Sequence, residues 1–109
     1  MSYLKFLNLM EAVKGLPTFP AIDAVEERLL NTFAVLWQHG VRVTVLQSME
    51  MLQDASPATV HRRLKTLRKK GFIALDVDVT DNRVKYVVPT PLTNQYFAEL
   101  EDCLIRAQE

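Results

Sequence analysis

The sequence has few of the residues that build metal centres and active sites. Its 109 residues include one cysteine, two histidines and three glycines. The single cysteine, Cys103, excludes an intramolecular disulfide and a cysteine-rich zinc site. His39 and His61 lack the carboxylate or cysteine spacing of a triad or a metal site, and no glycine-rich phosphate loop is present. We therefore expect a protein that is not an enzyme and that needs no metal or cofactor.

Long apolar runs are also missing. No stretch approaches the roughly 18 to 20 apolar residues that a membrane-spanning helix requires. The amino terminus has Lys5 inside a short apolar stretch and no small-residue cleavage site, which makes it a poor secretory signal. We therefore expect a cytoplasmic protein without a membrane partner. Apolar residues make up 49% of the sequence, which is enough to bury one core in one domain.

Acidic residues are absent from one segment of a chain whose charges balance overall. The whole sequence has 13 Lys and Arg residues against 13 Asp and Glu residues, but residues 55–75 contain no acidic residue. The basic residues of this segment are Arg62, Arg63, Lys65, Arg68, Lys69 and Lys70. A solvated basic face is the simplest interpretation of such a run. The concentration of nearly half the positive charge in one segment favours instead a surface that binds a polyanion such as a phosphate backbone.

This basic segment is predicted to form a well-delimited helix. Ser56 is a suitable N-cap, Pro57 suits the first helical position, and Gly71 ends the helix. Apolar residues recur at helical spacing along one stripe, at Val60, Leu64 and Leu67. That stripe should lie on a core, which leaves a cationic face pointing outward. The residues expected on the outward face are Ala58, Arg62, Lys65, Thr66 and Lys69.

A shorter helix is predicted immediately before the basic one. Thr44 and Gln47 form a capping pattern, and the helix is expected to continue through Leu52 before a brief polar turn at residues 53–55. Two short helices joined by a turn are typical of a helix-turn-helix motif. Upstream, a helix capped by Asp23 and Glu26 and a short strand at residues 41–43 are predicted.

After Gly71 the apolar period changes from about 3.6 residues to two. Residues 72–79 and 84–88 alternate around a turn, which predicts a β-hairpin. Thr90 and Pro91 then begin a last helix with an apolar stripe. The stripe consists of Leu92, Tyr96, Leu100, Cys103 and Ala107, and Cys103 is expected to be a small buried apolar residue.

The predicted fold class is α+β and mainly helical. It is a winged helix-turn-helix, with a three-helix core and a β-hairpin wing, flanked by N- and C-terminal helices. The predicted division is an N-terminal helical arm in residues 1–16, a winged-helix domain in residues 17–90 and a C-terminal helix in residues 91–109. The arm and the last helix are expected to form a symmetric dimer interface. The alternative, in which they pack on each other within one chain, stays open.

Residues 43–100 resemble the multiple-antibiotic-resistance regulator (MarR) family. Residues 44–52 are similar to the first helix of the family's motif, and residues 56–60 to the opening of its recognition helix. Residues 67–73 are similar to the exit of that helix, and Asp81 and Arg83 fit the Asp-x-Arg of the wing. Pro89 and Thr90 stand where the family usually has Leu-Thr. The resemblance covers about half the chain and implies a dimeric regulator that binds duplex DNA.

Two features depart from the family pattern. Family members usually have longer terminal helices that enclose a small-molecule pocket, so the shorter ends of this chain disfavour an effector ligand. The expected wing also carries Asp76, Asp78 and Asp81 against only Arg83 and Lys85. Only the tip of the wing is therefore expected to contact DNA.

Helical-wheel positions assign a role to each candidate residue. Base contacts are expected from Ala58, Thr59, His61 and Arg62, near the amino end of the basic helix. Phosphate contacts are expected from Thr44, Ser56, Arg63, Lys65 and Lys69. The wing contributes Arg83, aimed at the minor groove, together with Lys85.

The function expected from these residues is sequence-specific binding of double-stranded DNA. The protein would be a transcriptional regulator, expected to act as a repressor, that binds as a homodimer with a recognition helix in the major groove. The alternative is a winged-helix protein-interaction subunit of a larger DNA-associated complex, which would use the basic helix on an acidic partner. The acidic wing strands favour this alternative, whereas the ordered polar and basic outer face of the helix disfavours it.

Overall fold

The chain folds into five helices and three short strands. The computed structural model describes all 109 residues. Its elements in chain order are α1 (Ser2–Lys14), α2 (Ala24–Gln38), β1 (Val43–Thr44), α3 (Val45–Ser48), α4 (Pro57–Lys70), β2 (Ile73–Val77), β3 (Lys85–Pro89) and α5 (Pro91–Ala107). The predicted α+β, mainly helical winged helix-turn-helix is confirmed. None of the helices combines the length and apolar content that crossing a bilayer requires.

The chain divides into two units, of which the larger is Ile22–Thr90. Its core forms where the apolar stripes of α2 and α4 meet the small sheet. The buried apolar side chains of this core are Leu29, Leu30, Phe33, Val43, Val60, Leu64, Leu67, Phe72, Ile73 and Val87. Each large apolar side chain buried in this way stabilises the fold by about 1.5–3 kcal/mol. The core therefore fixes which side of α4 can face solvent.

The three strands form an antiparallel sheet in the order β1–β3–β2. Val87 in the central strand pairs with Val43 on one side and Leu75 on the other. Strands β2 and β3 with residues 78–84 form the hairpin, here called the wing. Trp37 ties α2 to this sheet, because its indole Nε1 donates to the Val87 carbonyl at 3.1 Å. Its ring stacks on Phe33 of the same helix.

Helix α3 is shorter than the sequence predicted. A helix through Leu52 was expected, whereas the helix ends at Ser48 and residues 49–56 form an irregular connection of turns. The amide of Glu50 donates to the Gln47 carbonyl, three residues back, instead of four residues back as in an α-helix. The connection between the two helices of the motif is therefore longer than the brief turn expected.

The smaller unit contains Met1–Ala21 and Pro91–Glu109, with α1 packed against α5. Phe19 and Tyr96 meet edge to face, with ring centroids 5.2 Å apart. Cys103 is buried with a free thiol, as predicted. Packing of the arm on the last helix within one chain is the arrangement that the sequence left open as the alternative. Apolar side chains nevertheless remain exposed on both helices, at Tyr3, Leu4, Leu104 and Ile105.

Candidate nucleic-acid interface

The ends of α4 are fixed by the residues that the sequence singled out. The Ser56 hydroxyl accepts from the Thr59 amide at 3.1 Å, and Pro57 occupies the first turn. At the other end Gly71 adopts a φ of 90°, in the left-handed region where a side chain would be strained. The turn is closed by Phe72, whose amide donates to the Leu67 carbonyl at 3.0 Å. These caps define the whole length of the basic helix.

The outer face of α4 is cationic and has no carboxylate close to it. Its exposed residues are Ala58, Arg62, Lys65, Arg68 and Lys69. Of the six basic residues in α4, only Arg63 and Lys70 form ion pairs. The other four charges are compensated only by solvent. Such a face attracts a polyanion, and the attraction is strongest at low ionic strength.

Three residues at the amino end of α4 form a connected polar group. The Ser56 hydroxyl donates to Thr59 Oγ1 at 2.9 Å, and Arg62 Nη2 donates to the same oxygen at 3.3 Å. Arg62 is thereby held along the first turn while its side chain stays exposed. Ala58 lies beside this group and is exposed, so a ligand can approach the backbone closely there. The expected base-contact residues Ala58, Thr59 and Arg62 thus lie together.

His61 lies in a different environment from these three residues. It is half-buried and lines a cavity of about 190 Å³ between α4 and the sheet. The floor of this cavity is apolar, and its rim is basic. The lining residues are Val45, His61, Leu64, Lys65, Arg68, Ile73, Leu75 and Lys85. The cavity therefore joins the carboxyl half of α4 to the wing residue Lys85.

The side of α4 that faces α2 is neutralised by carboxylates. Arg63 Nε lies 3.0 Å from Asp23 Oδ2, so this expected phosphate contact is already paired with an acid. Glu26 is only 1% exposed and accepts from Lys70 Nζ at 2.7 and 2.9 Å. Its carboxylate also accepts from Thr66 Oγ1 at 2.8 Å. The wheel placed Thr66 on the outer face, but its hydroxyl is directed towards α2.

Glu26 was recognised in the sequence only as a cap of α2. The capping box is present, since the Asp23 amide donates to Glu26 Oε1 at 2.9 Å and Asp23 Oδ1 accepts from the Glu26 amide at 2.8 Å. The partners of Glu26 on α4 lie 40 and 44 residues away in the chain. No local pattern in the sequence could have identified a contact over that separation.

The tip of the wing holds Arg83 in a bidentate ion pair. Asp81 accepts from Arg83 Nε at 3.0 Å and from Arg83 Nη2 at 3.1 Å. This contact lowers the pKa of Asp81 and raises the pKa of Arg83. The Arg83 side chain is still 87% exposed, so its outer edge can meet a ligand. Arg83 therefore reaches solvent as half of a neutral pair.

Other wing residues are occupied by local contacts. Asp78 accepts from the hydroxyl of Thr80 at 2.7 Å and from the amides of Thr80 and Asp81, and these bonds lower its pKa. Arg42 pairs with Asp76 at 2.9 Å and lies over the ring of Tyr86, 3.8 Å from its centroid. The acidic residues of the wing thus close its turn and neutralise a neighbouring arginine.

Thr44 lies beside the wing, at the start of α3. Its hydroxyl accepts from the Gln47 amide at 3.0 Å, which is the predicted capping contact. A second cavity, of about 410 Å³, is lined by Thr44, Val45, Leu46, Met49, Arg83, Val84 and Lys85. The structure therefore brings Thr44, Arg83 and Lys85 together, and it groups Ser56 with Thr59 and Arg62. It leaves Arg63 apart, on the flank that faces α2.

Comparisons with known proteins give a likeness of fold. No protein-family model matches the chain, and no curated protein matches it. Among solved structures, the heme sensor protein PefR from Streptococcus agalactiae in complex with heme is 24% identical, with a TM-score of 0.65. The match covers 95% of this chain, which spans 65% of the length of that PefR chain.

Two further structures have the same fold. The YusO protein from Bacillus subtilis is 21% identical over 98% of this chain and 67% of its own, with a TM-score of 0.59. A probable transcriptional regulator from Pseudomonas aeruginosa is 16% identical over 97% of this chain and 76% of its own, with a TM-score of 0.55. The resemblance to MarR-type regulators is thereby confirmed at the level of the fold.

Proposed function

We propose that this protein is a transcriptional regulator that binds double-stranded DNA with α4 in the major groove. The observation that carries the proposal is the outer face of α4, where four basic residues have no carboxylate partner. The fold shared with a probable transcriptional regulator from Pseudomonas aeruginosa supports it. PefR is a heme sensor protein, and the likeness of this chain to PefR is one of fold alone.

Base recognition is assigned to the amino end of α4. The side chains near the start of an inserted helix approach base edges most closely. Arg62 is the main candidate, because a bidentate contact of arginine with guanine contributes about 1–3 kcal/mol of discrimination. Ala58 and Thr59 would complete the contact surface, and His61 would contribute from the side of the cavity.

Phosphate contacts are assigned to residues along the outer face of α4 and at the amino ends of α3 and α4. Lys65 and Lys69 are the strongest candidates because both are exposed and free of ion pairs. Thr44 and Ser56 lie at helix amino termini, where backbone amides favour an anion. Arg63 would have to share its charge with Asp23. In the wing, Arg83 would enter the minor groove, and Lys85 would stand beside it.

A homodimer is part of the proposal. The exposed apolar side chains of α1 and α5 give these helices a surface on which a second copy can bury area. Two recognition helices related by a twofold axis require a palindromic site, with half-sites roughly one helical turn apart. We expect repression, because a dimer bound at a promoter competes with the polymerase for the same DNA. Light scattering that gave a monomer at micromolar concentration would contradict the dimer.

Selection of bound sites from a random duplex pool tests the proposed function directly. We expect an enriched palindrome, bound about 10³-fold or more tightly than a scrambled duplex of the same length at physiological salt. Enrichment of no sequence, together with equal affinity for all duplexes, would contradict sequence-specific regulation.

A second candidate function is favoured by the acidic side chains of the wing. Asp76 and Asp81 offset the arginines beside them and Asp78 adds a further negative charge, which makes the wing less favourable to phosphate than α4. A winged helix can also serve as a protein-interaction subunit of a DNA-associated complex. Mobility shift on random duplex DNA at several salt concentrations separates the two functions. Salt-dependent binding supports the regulator, whereas no binding at low salt supports the interaction subunit.

A further inference from the structure

Two carboxylates at the amino terminus of α2 hold the flank of α4. Glu26 contacts Thr66 and Lys70, while Asp23 contacts Arg63. These three α4 residues recur at spacings of three and four, so they form one stripe along the helix. The contacts thus extend over two turns, and they restrict both the rotation of α4 about its axis and its position along that axis.

The Glu26 side chain is held by a hydrogen bond within α2 as well as by its contacts with α4. Its Oε1 accepts from the Asp23 amide at 2.9 Å, which closes the capping box of α2. The side chain is 1% exposed, so neither water nor a mobile counterion can replace its partners freely. The carboxylate cannot shift without breaking one of the two hydrogen bonds of the capping box. It therefore serves as a rigid reference point against which α4 is oriented.

Orientation of α4 matters for recognition because successive residues of a helix point about 100° apart. A rotation of a few tens of degrees would turn Arg62 away from a base edge, and one of about 60° would put Lys65 in its place. The polar group of Ser56, Thr59 and Arg62 organises the amino end of α4 through hydrogen bonds within that end of the helix. The rotation of the helix is set instead by its packed stripe and by the charged contacts of Glu26.

We propose that Glu26 is a positioning residue for base recognition. It fixes the rotation of α4, and so the direction in which Thr59 and Arg62 leave the helix. It also keeps Lys70 away from DNA phosphates. This role rests on the proposed function, because it concerns how the same helix distinguishes one DNA sequence from another.

The two effects of Glu26 act in the same direction on specificity. Non-specific affinity grows with the number of cations that reach phosphates. Pairing Lys70 with Glu26 removes one cation from that number and lowers affinity for arbitrary DNA. Fixing α4 raises affinity for the cognate sequence alone. The ratio of cognate to random affinity is therefore the quantity that Glu26 controls.

Glu26→Gln is the variant that tests this role. Glutamine keeps the shape of the side chain and an oxygen for the Asp23 amide, but it loses the charge that holds Lys70. Affinities of wild type and variant would be measured on the selected duplex and on a random duplex across a range of salt. We expect a ratio of cognate to random affinity at least about tenfold lower. The salt dependence on random DNA should steepen by about 0.9, for one released cation.

Two further variants separate positioning from a loss of stability. Thr66→Val removes a hydroxyl contact of Glu26 without leaving a buried charge unpaired, so we expect a folded protein with a lower affinity ratio and an unchanged salt slope. The matched control is Lys69→Gln, beside Lys70 but exposed and without an ion pair. Here both affinities should fall together, and the slope should become shallower by about 0.9.

Equal losses on both duplexes in Glu26→Gln and Thr66→Val, with unchanged slopes, would overturn the positioning role, since a purely structural contact gives that result. An unchanged ratio in both variants would also overturn it. A wild-type protein that bound neither duplex would instead overturn the proposed function. The wild-type measurement therefore distinguishes the two failures.

Discussion

Helix α4 and the wing both present basic residues to solvent, but they differ in what surrounds those residues. On α4, the basic residues Arg62, Lys65, Arg68 and Lys69 form no ion pair. In the wing, Arg83 is held by both oxygens of Asp81. The neighbouring Arg42 is paired with Asp76. A count of basic residues therefore overstates the positive charge of the wing, because only an unpaired cation adds a full charge to the field that a polyanion would meet.

The difference has a local cause. Asp81 lies two residues before Arg83, so the pair forms within a single turn of the hairpin. The outer face of α4 contains no acidic residue that could form such a pair along the helix. Its only carboxylate partners come from α2, and they reach just the inner flank. We therefore expect α4 to supply most of the binding free energy.

Charge reversal on the two elements should change DNA affinity most. Lys65→Glu with Lys69→Glu should lower affinity for any duplex by about 100-fold or more, because two phosphate contacts become two repulsions. The matched change in the wing, Arg83→Glu with Lys85→Glu, should cost only about tenfold, because Asp81 already compensates Arg83. Fluorescence anisotropy on a random duplex at fixed salt measures both. A larger loss in the wing variant would reverse the assignment.

Removal of one proposed base-contact side chain should have a smaller but more selective effect. Arg62→Ala should reduce binding of the selected duplex by about 1–3 kcal/mol and leave random-duplex binding nearly unchanged. Arg68→Ala, in the carboxyl half of the same helix, is the control and should weaken both duplexes alike. Titrations with the two duplexes measure the difference. An equal loss on both duplexes for Arg62→Ala would assign this arginine to phosphate instead.

Release of the wing arginine should have a still smaller effect. Asp81→Asn removes the charge that compensates Arg83, so affinity for random DNA at low salt should rise about two- to threefold. Arg83→Ala should lower the same affinity by a similar factor. Mobility shift in low-salt buffer is sensitive enough to detect both. A loss of affinity in Asp81→Asn would mean that the ion pair positions Arg83 for DNA contact.

The smallest predicted effect is on stability at acid pH. The Arg28 contact lowers the pKa of Asp54, and hydrogen bonds in the wing turn lower the pKa of Asp78, both from 3.8. A carboxylate with a lowered folded-state pKa stabilises the fold fully above about pH 5, and this contribution is lost as pH falls below 3.8. Thermal unfolding between pH 6 and pH 3 should show a smaller decrease in Tm for Asp78→Asn than for wild type. Parallel curves for the two proteins would exclude the contribution.

Local features of the fold could be predicted from the sequence. The caps at Ser56 and Gly71, the capping boxes at Asp23 and Thr44, and the change of period into the wing each depend on residues a few positions apart. The end of α3 could not be predicted, because Met49 and Leu52 continue a plausible helical stripe. The hydrogen bonds nevertheless change to three-residue spacing from the Glu50 amide onward.

The orientation of α4 could be predicted only in part. Its apolar stripe correctly identified the buried side, and the cationic outer face followed from that. The flank of α4 that faces α2 was harder to predict, because a helical wheel cannot distinguish a side chain that faces solvent from one that faces a neighbouring helix. Thr66 and Lys70 face Glu26 only because the fold brings the start of α2 beside the end of α4. That proximity is a property of the tertiary structure.

Trp37 is the only tryptophan of the chain and lies where α2 meets the central strand. Its indole donates to the Val87 carbonyl, and its ring stacks on Phe33 with an interplanar angle of 13°. Indole emission responds to loss of a hydrogen bond and to a change in local polarity. The protein therefore carries an intrinsic fluorophore in contact with the wing. A shift in its emission maximum on addition of DNA would report, without any label, whether the hairpin moves against α2 when the complex forms.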